Sequence, residues 1–138
     1  MTLLTADLRY GLRANAICAE ISREQGRAFD PCPLVKLYSP LSTATWLVTE
    51  LDRDGDSLFG LADLGLGYAE LGTFSLRQLC AMRLPYGHGI ECEAGFATIH
   101  PLSVWTQWAR CSGSVLWTEI LLTRAAAAIM ASDPEIPG

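Results

Sequence analysis

Asp52, Asp54, Asp56 and Asp63 stand at the one, three, five and twelve spacing of a calcium-binding loop, where alternate carboxylates converge on one hard cation. The same four side chains suit Mg²⁺-dependent phosphodiester hydrolysis, which needs clustered carboxylates around the metal. Ser57 occupies the sixth position, where a calcium loop requires glycine for its sharp turn, and Asp63 is shorter than the usual bidentate glutamate. The flanking residues also have strand rather than helix composition, so a polar hairpin turn is the reading that the residues favour. His88, Cys92 and His100 bring ligand-type and nucleophile-type side chains into one downstream stretch, with Glu91 and Glu93 between them. Their spacing fits no structural zinc pattern. Cys80 or Cys92 with His88 has the residue types of a nucleophile pair but no local signature. The run Asp63-Leu64-Gly65-Leu66-Gly67 is glycine-rich without the Lys-Ser/Thr pair or immediate helix of a phosphate loop. No cofactor and no metal site is expected.

The charge is unevenly placed. The 138 residues carry 15 acids against 10 Lys and Arg, a net of −5. Between 50 and 70 stand Glu50, Asp52, Asp54, Asp56, Asp63 and Glu70 with Arg53 as the one base, which accounts for the whole net charge. Such a segment repels phosphate backbones and attracts cationic surfaces. Direct nucleic-acid binding is therefore not expected, since no basic stripe with interleaved aromatics exists and Lys36 is the one lysine. Arg9, Arg13, Arg23 and Arg27 are the arginines a phosphate-facing helix side would use. Five cysteines are scattered without a CxxC pair, and no cationic-then-apolar leader opens the chain, so free thiols in the cytoplasm are expected. The most apolar run, Val115 to Met130, is interrupted by Glu119 and Arg124 and falls short of the ~20 residues a bilayer span needs, so no membrane segment is expected.

These residues must be held by short elements. Thr5 predicts the cap of a first helix, with Asp7 in its opening turn and Leu8, Leu12, Ile17 and Ile21 as the buried stripe. Gly26 and Asp30-Pro31-Cys32-Pro33 end it. Strands are predicted over 34–39, 45–51 and 58–61, with a turn at Asp52–Asp56 and another at Gly65 and Gly67 before Thr73 and Phe74. Ser75 and Gln78 form a capping box for a short helix that Pro85 must stop. A strand over 90–97, at an edge, and a helix with Pro101 at its first position follow. That helix carries Trp105 and Trp108, three apart, which would share a face covering the sheet or meeting a partner. Trp46, between strand residues, belongs in the core. After Cys111-Ser112-Gly113-Ser114, Ser112 or Ser114 caps a final helix that ends near Ser132-Asp133-Pro134. The order predicts an α+β domain whose small, mostly antiparallel sheet is covered by several helices.

Several segments carry a resemblance. The opening MTLLTADLR (1–9), PLVKLYSP (33–40), TWLVTELD (45–52), FGLADLGLG (59–67) and ELGTFSLRQL (70–79) resemble the bacterial domain-of-unknown-function family 2958, to about Arg110. The resemblance implies a family-like domain over 1–110 and a C-terminal helical extension over 111–138. It also implies a setting on plasmids, prophages and other mobile elements, but no chemistry.

The expected function is that of an interaction protein of such an element. Its acidic residues Glu50, Asp52, Asp54, Asp56, Asp63 and Glu70 would meet the basic surface of a host nucleic-acid-binding complex, inhibiting a CRISPR or restriction effector. The alternative is a metal-dependent single-stranded-DNA endonuclease or nucleic-acid binder, a label the family resemblance also brings. The final helix has two apolar stripes, more than a peripheral helix buries, and predicts a homodimer through Trp117, Ile120, Leu121 and Met130.

Overall fold

The computed structural model describes residues 3–132. Met1, at the start of the family-like opening, and the Asp133-Pro134 helix stop lie outside them. Helix α1 (Ala6–Glu24) is followed by strands β1 (Val35–Tyr38), β2 (Thr45–Leu51), β3 (Ser57–Asp63) and β4 (Ala69–Ser75). Helix α2 (Leu76–Ala81), a single 3-10 turn at Pro85–Gly87, strand β5 (Glu91–Cys92) and helices α3 (Leu102–Ser112) and α4 (Val115–Ser132) complete the order. The strands form one antiparallel sheet in the order β4-β3-β2-β1-β5. The chain is thus a single-domain α+β protein.

Strand alternation divides the core in two. Val35, Leu37, Trp46, Val48 and Leu58 meet Leu12 of α1 on one face. Leu47, Leu61 and Ala69 meet Leu102, Trp105, Ala109 and Val115 on the other. A bulge between Val48 and Glu50 resets the alternation in β2, so that Leu51 rejoins the α1 side.

Helix α1 starts where Thr5 accepts a hydrogen bond from the Leu8 amide at 3.2 Å. Its buried face differs from the predicted stripe. Ile17 and Ile21 are exposed, whereas Asn15 donates to the Thr49 carbonyl and Ser22 is buried. The step of five from Leu12 to Ile17 carries that side chain round to the far side at 100° per residue. Strand β4 also begins at Ala69, earlier than Thr73. The predicted strand over 90–97 is paired only at Glu91 and Cys92, and Gly95 adopts a positive φ of 71° just beyond. Pro101 is the residue before α3 rather than its first. Asp30 supplies the missing cap there, accepting from the Ser103 amide at 3.1 Å and from its hydroxyl. No single helix among the described residues is long and apolar enough to cross a membrane.

Candidate functional site

The acidic residues fall into two groups at opposite ends of β3. Asp52, Asp54 and Asp56 form the β2–β3 turn, closed by the Asp52 amide on the Ser57 carbonyl at 2.8 Å. Asp54 accepts from the Asp56 and Ser57 amides, each at 2.8 Å, and from the Ser57 hydroxyl at 2.6 Å. Those hydrogen bonds, the hydroxyl's first, hold its carboxyl at about 2. Asp56 accepts from the Arg77 amide at 2.7 Å and from the Ser75 hydroxyl, which fastens the hairpin tip to the start of α2 and lowers its carboxyl. Ser75 in turn caps the Gln78 amide at 3.1 Å, as the capping box predicts.

Glu50 and Asp52 face a groove of about 360 Å³ against Glu20 and Arg23 of α1, with Phe59 and Thr73 on its floor. Burial raises the Glu50 carboxyl, with Asp52 adding to the effect and Arg23 opposing it. Glu70 lies at the other end, paired with Ala62, and five residues of strand put it roughly 17 Å from the turn. It is exposed but belongs to a different surface. Asp63 requires a correction. It is 1% exposed and accepts from the Gly65 amide and from the Val115 amide, each at 2.9 Å. Its carboxylate caps α4 from 52 residues away and offers nothing to a partner. Four of the six predicted contacts therefore stand together: Glu50, Asp52, Asp54 and Asp56.

Cys80, His88 and Cys92 line one shallow depression of about 580 Å³. Burial, with Glu93 adding to it, pushes the Cys92 thiol up, opposite to what a nucleophile needs. His100 sits elsewhere, in a cleft of about 600 Å³ with Glu93, Thr98, Trp105 and Glu119. Among the described residues no group of three or more His, Cys, Asp or Glu side chains is placed to hold a metal ion.

A polar centre beside that cleft is not legible in the sequence. Lys36, 5% exposed, extends from β1 to Glu119 of α4 at 2.7 Å and to Glu93 at 3.3 Å. The available signal was a lone lysine inside the apolar run Leu34–Tyr38. Burial alone would lower its pKa, but the hydrogen bonds and charges of Glu119 and Glu93 outweigh it and the ammonium is held above 10.5. A raised folded value means that the stabilisation is complete below 10.5 and fades as pH rises through the folded pKa. Alkaline titration followed by tryptophan fluorescence is expected to show a destabilising step above pH 10.5. Lys36→Met should lack that step, and an unchanged alkaline limb would count against the triad.

The two expected tryptophan positions also separate. Trp105 is buried, packs on Phe96 with ring centroids 6.4 Å apart, and donates from Nε1 to Thr98 at 3.2 Å. Trp108 is partly exposed. Trp117, Ile120, Leu121 and Met130 are all exposed on α4.

The family profile described as a protein of unknown function (DUF2958) matches residues 3–116. The match ends just inside α4. No curated protein and no solved structure matches the chain.

Proposed function

Because the chain belongs to the DUF2958 family, whose description assigns no chemistry, we propose from its surface that it acts by binding a basic protein partner. The observation that carries this reading is the groove at the β2–β3 turn, where Glu20, Glu50 and Asp52 meet one base, Arg23. Asp54 stays ionised beside it down to about 2, so the surface remains negative throughout the physiological range. A net negative charge on a hydrogen-bonded turn steers an arginine- or lysine-rich surface and fixes its orientation. Complexes that grip nucleic acid present such surfaces. The mobile-element setting implied by the sequence resemblance makes a CRISPR or restriction effector of the host the target we favour, with inhibition as the outcome. The carboxylates of the turn already accept backbone and hydroxyl hydrogen bonds, which favours docking over metal-assisted cleavage of single-stranded DNA.

Reversing Asp54 or Asp56 would disturb the turn and α2 as well as binding. The informative variant is Glu20→Lys with Asp52→Lys, and Glu70→Lys serves as the control at the far end of the sheet. Immobilised protein is expected to capture a basic nucleic-acid-binding complex from host extract. The double variant should weaken that capture at least tenfold at about 150 mM salt, a loss of ~1.4 kcal/mol or more. Glu70→Lys should stay within about threefold. Undiminished capture by the double variant would overturn the acidic-docking reading.

A further inference from the structure

Helix α4 presents one side to its own domain and leaves the other uncovered. Thr118 and Val115 are buried, Leu122 packs on the α3-side core and Glu119 meets Lys36. At 100° per residue these define one direction. Trp117, Leu121, Arg124 and Ala128 point the opposite way, separated by four, three and four residues, which is the spacing of a helix-pairing seam. Trp117 is 56% exposed and Leu121 37%. Every residue from 123 to 131 is exposed.

We propose that this seam pairs with the same seam of a second copy, the two α4 helices running antiparallel. The side-chain sizes select both the occupant and the direction. The bulky apolar residues Trp117 and Leu121 occupy the first half of the seam, and Arg124 and Ala128 the second. An antiparallel pair sets Trp117 against the partner's Ala128 and Leu121 beside the partner's Arg124, and the two-fold axis repeats both contacts. Trp117 thereby meets a small side chain, and the aliphatic stem of arginine covers Leu121. A parallel pair would instead stack Trp117 on its own copy and oppose two Arg124 charges.

The adjoining surface extends the contact. Trp117 shares a shallow depression with Gly65 and Gly67, and Leu64, Leu66 and Tyr68 of that loop are all more than half exposed. With Ile120 and Leu121, these side chains expose on the order of 600 Å², which together with the alanines approaches the ~800 Å² that each partner buries in a stable dimer. This surface is separate from the acidic groove, so the inference does not depend on the proposed function.

Light scattering on the full chain at about 50 µM is expected to give twice the 15.0 kDa chain mass. Trp117→Ala and Ala128→Trp should each weaken self-association at least tenfold. The two together exchange large for small across the seam and should restore it to within about threefold. Circular dichroism confirms that each variant is folded. A monomeric wild-type mass overturns the proposal, and if that monomer sediments with phosphatidylglycerol vesicles, a membrane surface is the occupant instead. A double variant as weak as the single substitutions combined overturns the antiparallel register.

Discussion

Gly60→Ala is expected to prevent the chain from folding stably. A Cβ at that position would lie 1.9 Å from the Leu47 carbonyl oxygen, 2.9 Å from its carbon and 3.0 Å from the Val48 Cα. All three atoms are backbone of the neighbouring strand, so no side chain can turn aside. Relief requires β2 and β3 to separate next to the bulge, where Val48 pairs with Gly60. A loss above ~4 kcal/mol is expected, comparable with much of the total stability of a domain this size. Gly72, which pairs with Gly60 on β4, faces open space. Gly72→Ala should therefore stay within about 1 kcal/mol of wild type. Urea unfolding of the two variants side by side checks the contrast, and a stable Gly60→Ala protein would show that the two strands are not held this close.

Asp63→Ala is expected to cost about 3 kcal/mol. The substitution leaves the Val115 amide without its acceptor in a buried setting, a penalty of ~1–3 kcal/mol, and removes the part-buried bond from the Gly65 amide as well. At this chain length the midpoint of thermal unfolding should fall by roughly 10 °C. Asp63→Asn keeps one acceptor oxygen and should lose about half as much. Hydrogen exchange gives the local signature: amides at the start of α4 should lose protection before those of β2. Equal loss in both would show that Asp63 supports the sheet rather than the helix.

What the sequence disclosed depended on how far apart the partners stand. Thr5 with Leu8, Ser75 with Gln78 and the β2–β3 turn were legible because donor and acceptor lie within five residues of each other. The antiparallel sheet followed from short connections that permit little else. Asp63 looked like one more surface acid because its partner, the Val115 amide, is 52 positions away, and backbone amides carry no sequence signal. The Lys36 centre is hidden in the sequence for the same reason, since Glu93 and Glu119 come from β5's continuation and from α4. Ile17 and Ile21 misled because an apolar residue near a helical period looks buried, while Asn15 and Ser22, which do face the sheet side, are polar. The acidic segment looks like one patch because its residues are close in sequence, and closeness in sequence is not closeness in space. A seven-residue strand running through it places Glu70 at the far end.

Placing the one lysine between two glutamates also changes what the folded surface offers to chemistry. All other basic side chains are arginines, whose guanidinium groups stay protonated and resist acylation. The native fold thus displays no free ε-amine. Amine-directed cross-linkers and dyes, and enzymes that acetylate lysine or conjugate a degradation tag to it, find no reactive side chain until α4 lifts from the sheet. The folded protein would then be poorly marked by lysine-directed modification, and would gain its one acceptor ε-amine on opening.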